Sequence, residues 1–198
     1  LSQFMTLLPG DVVSTGTLGQ GNNEIANLGS IGIDNRHKKF YVSDHGKMRI
    51  YSYDIDSLLN MPESYESKVK VRINNSMFPS EYCYVDDTLS YARVIKPTSA
   101  STFEQSVAKW NMQTGEINVM EYSHPDVKNK RSIFDVSLQH GIYVEGYLRH
   151  DLLSICDLEG ALVCNIYCPY WNGGGKSNMS GYGDGMITSD NIIATYSG

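Results

Sequence analysis

The sequence lacks any run of about 18 apolar residues, so no membrane-spanning helix is expected. It has no excess of positive charge: 16 Lys and Arg stand against 22 Asp and Glu, giving a net charge of −6. A protein that gripped nucleic acid through its whole surface would carry the opposite balance, so no nucleic-acid partner is expected. Cysteine is sparse and badly spaced for zinc. Cys83, Cys156, Cys164 and Cys168 include no CxxC pair. Cys164 and Cys168 fall in one apparent strand, about 13 Å apart, whereas a disulfide tolerates a Cα separation of about 7 Å. Four free thiols are therefore expected. The five histidines, at 37, 45, 124, 140 and 150, form neither HExxH nor an i,i+4 pair, which removes the usual helical zinc-hydrolase signature. Asn172-Gly-Gly-Gly-Lys-Ser177 looks like the end of a phosphate loop. Position 170 is Tyr where the first glycine belongs, however, and no helix signal follows.

What remains is a globular composition of 41% hydrophobic and 19% charged residues, too apolar for a disordered chain. Fourteen Tyr and 18 Gly favour strands and turns. At about 100–200 residues per domain, 198 residues suggest one domain. The opening Leu1-Ser2-Gln3-Phe4 lacks the charged segment that precedes the apolar core of a secretory leader.

Internal repetition decides the fold class. Residues 29–34, a polar turn and then Phe40-Tyr-Val-Ser-Asp44 form a pair of alternating runs. The pair recurs at 82–86 with 90–94, at 133–137 with 142–145, and at 185–189 with 192–196. Tyr41, Ala92, Tyr143 and Ile193 hold corresponding places, roughly 50 residues apart. The first three copies continue with two more runs each: 48–54 and 69–73, 107–111 and 117–122, 152–157 and 162–167. Gly115 and Gly160 mark the turns between third and fourth runs, where a positive φ is needed. In the first copy an insert at 55–63 takes their place, with Asp56-Ser57 as a candidate helix cap and Pro62 as the stop. Four short antiparallel strands repeated every ~50 residues are the pattern of β-propeller blades. The reading is all-β: a half-blade hairpin and linker at 1–28, blades at 29–76, 77–131 and 132–181, and a half-blade at 182–198.

Gly19-Gln-Gly-Asn-Asn-Glu24, Leu28-Gly-Ser-Ile-Gly-Ile-Asp34, Phe40-Tyr-Val-Ser-Asp44 and Arg49-Ile-Tyr-Ser-Tyr-Asp54 together resemble the TolB-like six-bladed β-propellers, near the NHL-repeat pattern. The match is strongest over residues 12–54 and fainter in the next two copies. That resemblance implies a location outside the cytoplasm, in the periplasm or at the cell surface, of the kind common in Bacteroidetes-type bacteria. A six-bladed ring needs about 300 residues. The expectation is therefore an incomplete portion of about four blades; the alternative is a closed four-bladed ring in which residues 4–8 pair with 192–196.

Loops after second strands and loops between blades share one end of a propeller. At that end the sequence places Asp44, Arg93, Tyr147, Arg149, Trp171 and Tyr182 as candidate ligand-binding residues. Aromatic faces beside directed polar groups suit a protein or glycan ligand. His45 and His150 occupy equivalent loops at the same end and read as solvated. The leading reading is a non-enzymatic binding or scaffold module with no cofactor. The alternative is a metal-assisted hydrolase or lactonase, with Asp86, Asp87, Asp135 and Asp184 as candidate channel carboxylates.

Overall fold

The computed structural model describes residues 18–21, 24–61, 64–128 and 130–175, and the backbone of 182–187 and 192–196. The first sheet runs β1 (Leu28–Asp34), β2 (Lys39–Asp44), β3 (Arg49–Asp54), then a short helix α1 (Ile55–Asn60), then β4 (Lys68–Arg72). The second comprises β5 (Phe78–Asp86), β6 (Leu89–Pro97), β7 (Phe103–Trp110) and β8 (Ile117–Val119). The third comprises β9 (Ser132–Ser137), β10 (Ile142–Tyr147), β11 (Leu152–Asp157) and β12 (Leu162–Tyr167). A hairpin, β13 (Tyr182–Ile187) with β14 (Ile192–Tyr196), follows. Each sheet is antiparallel and keeps chain order from inner to outer strand. First strands meet across the sheets, β1 against β5 and β9 against β13. This is a β-propeller in part: three four-stranded blades and a two-stranded sheet.

Several turns are folded by an Asp or Asn at, or one residue past, the end of a strand. Asp34 accepts the His37 amide at 3.1 Å, and Asp86 accepts those of Thr88 and Leu89 at 2.7 and 2.9 Å. Asn111 accepts Gln113 and Thr114 N–H, and Asp157 accepts Glu159 and Ala161 N–H. A short polar side chain thus folds its own turn. Where a turn closes with a left-handed residue, Gly115 (φ 80°) and Gly160 (φ 96°) supply it between third and fourth strands.

Several strand limits differ from the sequence reading, each for a visible reason. Strand β8 stops at Val119 rather than Tyr122, because Met120 turns into the seam with the third blade and the Tyr122 hydroxyl reaches Asn165 Oδ1 at 3.0 Å. Strands β5 and β6 extend to nine residues each, since Phe78 and Pro79 pair with Ile95 and Val94. The helix cap is Asp54, not Asp56-Ser57: its carboxylate accepts Ser57 N–H at 2.8 Å. Residues 4–8, and with them the ring-closing pairing, lie outside the described residues, as does the side chain of Ile193.

Two seams hold the blades together. Between the first and second, Tyr41, Ile50, Tyr82, Ala92, Trp110 and Met112 form one buried cluster. The Tyr82 ring lies on Gly32, where an added Cβ would sit 2.4 Å from its Cε2, and its hydroxyl donates to the Tyr41 carbonyl at 3.2 Å. Trp110 meets Tyr82 edge-on, with centroids 5.3 Å apart. Between the second and third blades, Tyr91, Val107, Met120, Phe134, Tyr143 and Cys156 pack together. Alternation along β6 and β7 explains both: Ala92 and Ala108 face one neighbour, Tyr91 and Val107 the other.

Candidate functional site

The second seam changes character toward the end where β10 turns into β11. On β10 the alternation that buries Tyr143 also buries Glu145 and Tyr147. Glu145 accepts from Ser132 Oγ at 2.7 Å, Lys130 Nζ at 3.0 Å and Tyr147 Oη at 3.1 Å. Ser154 donates to Asn165 Oδ1 at 2.7 Å, and that oxygen also accepts from Tyr122. Four blade strands and the linker at 120–131 therefore share one buried polar network. A carboxylate and an ammonium so deep are tolerated only because they meet each other with further hydrogen bonds. Burial, with the Glu145 charge beside it, pushes the Tyr147 phenol well above its usual range.

Above this network lies an aromatic cap. Trp171 packs against His124 and Tyr167, each with a centroid separation of 5.2 Å, and against His150 at 6.5 Å. Val127, Tyr147 and Leu152 close the underside. His124 Nδ1 accepts the Asp126 amide at 3.3 Å, so Nε2 carries the proton toward Tyr167 Oη at 3.1 Å. The ring is neutral, and burial, helped by the neighbouring His150, lowers its pKa. His150 Nδ1 donates to the Gly175 carbonyl at 3.2 Å, and Asp151 accepts Tyr170 N–H at 2.8 Å. Both contacts pin the loop after β12. Tyr170 and Arg149 stand exposed on the surface of this cap.

The six candidate residues divide between frame and surface. Tyr147 is fully buried and belongs to the network. Arg93 is a half-buried clamp: it pairs with Glu81 at 3.2 Å, donates to Ser80 Oγ at 3.3 Å and contacts the Ser132 carbonyl across the seam. Tyr147, Trp171 and Arg93 thus converge on one corner, through Leu152 and Ser132, with Arg149 on the adjoining turn. Asp44 belongs to the first blade and is buried. Its carboxylate accepts Ala26, Asn27, Gly46 and Lys47 N–H at 2.9–3.2 Å. Burial alone would raise its pKa; those four amides outweigh it and lower it. The side chain of Tyr182 lies outside the described residues.

The histidines correct the sequence reading. His150 is buried under Trp171, and His45 is half-buried with its ring 5.8 Å from Phe78, so neither is a solvated loop residue. Glu145, Lys130 and Ser132 were missed as a unit, although a glutamate in register with Tyr143 and Tyr147 on an inward face was a legible signal. Of the proposed channel carboxylates, Asp86 folds its own turn, and Asp87 binds Lys70 Nζ at 2.6 Å and Tyr84 Oη at 3.0 Å. Among the described residues no three His, Cys, Asp or Glu side chains converge as metal ligands. None of the four cysteines is in a disulfide. A cavity of about 180 Å³ opens between the first two blades, walled by Val71, Ile73, Met77, Pro79, Trp110 and Ile117. No helix among the described residues is long and apolar enough to cross a membrane.

No protein-family model matches the chain, and no curated protein matches it. Solved structures do. A member of the DUF4221 family from Bacteroides vulgatus aligns over 84% of this chain and 50% of its own, at 12% identity and a TM-score of 0.52. BamB from Moraxella catarrhalis aligns over 85% and 41%, at 11% identity and a TM-score of 0.45. The extracellular domain of a putative hybrid two-component system from B. thetaiotaomicron aligns over 90% and 27%, at 9% identity and a TM-score of 0.47. The chain spans half or less of the length of each. At 12% identity the likeness to the DUF4221 member bears on fold alone, and the fold it supports is the β-propeller.

Proposed function

We propose that the chain is a non-enzymatic β-propeller module, of the TolB-like six-bladed kind with NHL-like repeats, that works outside the cytoplasm. In this reading the cap over the third blade is its binding end for a protein or glycan. The observation that carries it is the pairing of a rigid frame with an adaptable surface. Trp171 is half-buried and fixed by three rings, while its chain neighbour Tyr170 and Arg149, the chain neighbour of His150, are exposed. A preset aromatic plane beside a cation loses little conformational freedom when it takes a sugar ring or a peptide side chain. Arg93 and Tyr147 serve in this reading as positioning residues, while Asp44 holds a loop of the first blade.

Tryptophan fluorescence provides the test. The sequence holds two tryptophans, and Trp110 is buried in the first seam. In a Trp110→Phe background, Trp171 is the single reporter. Titration with an oligosaccharide panel and a peptide library should give a saturable Trp171 signal with at least one probe. Arg149→Ala or Tyr170→Ala should weaken it without changing the melting temperature. Saturable binding left unchanged by both substitutions, or the lack of any binding, would defeat the reading.

A further inference from the structure

Each four-stranded blade exposes its outermost strand as an edge, and the three edges are built differently. Strand β4 reads Lys68-Val-Lys-Val-Arg72, with three cations in five residues. Strand β8 is only three residues long and is flanked by Glu116 and Glu121. Charge and shortness are the usual means of keeping an edge from pairing with another chain. Strand β12 has neither. It is six residues long, and residues 161–170 contain no charged side chain. Val163, Tyr167 and Ile166 are 60%, 52% and 42% exposed. A bulge near Val163 leaves Cys164 through Tyr167 in regular register with β11.

We infer that β12 is a self-association edge, which pairs antiparallel with β12 of a second copy of this chain about Asn165. Charge selects the orientation, and the self-matching apolar face of the strand selects the occupant. Asp157 and Glu159 stand in the turn just before β12, whereas residues 168–172 just after it are uncharged. Antiparallel pairing sets the acidic turn of one copy beside the uncharged end of the other. Parallel pairing would bring the acidic turns together, in a chain whose net charge is already −6. Glu159 is moreover paired with Lys109 Nζ at 2.6 Å. A two-fold axis through Asn165 preserves the faces of the joined sheet, so Cys164 of each copy opposes Ile166 of the other. Those two side chains share the face that carries Leu153 and Ile155, and pairing extends that apolar layer across the axis.

Sedimentation velocity on the full chain, over a wide concentration range, is expected to show a reversible monomer–dimer equilibrium. Val163→Lys with Ile166→Lys should abolish the dimer while leaving the circular dichroism spectrum and melting temperature unchanged, because both positions are exposed. Val69→Lys, on the β4 edge, should leave the dimer intact. Register is read separately. Ile166→Cys sets a thiol directly opposite the partner's Cys164, and mild oxidation should give a disulfide-linked dimer that Cys164→Ser removes. Within one copy the two side chains leave the same strand in parallel, with Cβ atoms about 7 Å apart, whereas a bridge needs Cβ atoms about 4 Å apart. A monomer at every concentration, a dimer that survives the two lysines, or a monomer that pairs only with an added strand peptide would overturn the inference. None of these outcomes depends on whether Trp171 reports a ligand.

Discussion

The two inter-blade seams solve the same packing problem with opposite chemistry. The first is mainly an aromatic contact. Its buried carboxylate, Asp34, meets His37 and the Tyr41 and Tyr84 hydroxyls and has no buried ammonium opposite it among the described residues, while Asp87 links Tyr84 to the half-buried Lys70. The second carries Lys130 and Glu145 inside, 3.0 Å apart and almost wholly buried. A dry seam gains from area alone and tolerates any occupant of the right shape. A seam that covers an ion pair must stay closed over it, because buried charges are tolerated only while their hydrogen bonds are complete. The charged seam is the one beneath the aromatic cap that packs around Trp171.

Two single substitutions, one per seam, should have the largest effects, and their repair should differ. Glu145→Ala leaves the Lys130 ammonium buried and unpaired, and is expected to cost about 3–5 kcal/mol. Replacing both partners with apolar residues of similar size, Lys130→Met with Glu145→Leu, should recover most of that loss in denaturant melts. Tyr82→Ala in the dry seam should cost a similar ~3–5 kcal/mol as a cavity. No second polar change should rescue it. If the double apolar variant stays as unstable as Glu145→Ala, the two seams do not differ in the way described.

A smaller effect tests shape alone. Gly32→Ala places a methyl against the Tyr82 ring and should cost about 1–3 kcal/mol. In a Tyr82→Ala background the same change should cost almost nothing, a non-additivity expected only for residues in contact. Additive losses would mean that the ring does not rest on Gly32.

Acid should act on the capped seam before it reaches the Asp44 loop. His124 is held neutral with its pKa below the ordinary 6.5. The unfolded chain therefore takes up a proton first, and stability falls as pH drops below about 6.5, until the folded ring also protonates. His45 is depressed by burial as well and adds to the same decline. His124→Gln should flatten the slope without removing it. Asp44, lowered below its ordinary 3.8, stabilises above that value and loses its contribution as pH falls through its folded pKa. Asp44→Asn should erase only this lower step. Chemical denaturation at a series of pH values reads both, and an unchanged slope for His124→Gln would remove the histidine from the account.

Much of this was legible from the chain because it is local. Period-two alternation and strand-end Asp or Asn residues need only neighbours a few positions away, and Tyr41 and Tyr143, aligned by the repeat at corresponding places, are both buried. The sequence reading failed where a side chain's environment comes from another blade. The loops around His45 and His150 look polar in sequence, yet Phe78 covers one ring and Trp171 the other. Arg93 and Tyr147 read as surface ligand groups from their strand ends. The cross-seam contact with Ser132 and the buried carboxylate of Glu145 make them parts of the frame instead.

By itself, then, the sequence determined the blade: strand, turn, strand, with alternate residues inward, since sterics and local hydrogen bonding fix these within a few residues. Tertiary structure alone decided which inward faces would be dry and which would hold charge. That choice depends on residues about 40 positions apart or more, such as Tyr82 over Tyr41 or Tyr122 on Asn165. No local pattern records that a glutamate on β10 will meet a lysine from the preceding linker. The pairing of β9 with β10 brings the two charges, 15 positions apart in the chain, within 3.0 Å, and the packing of the second blade against that face excludes the water that would otherwise separate them.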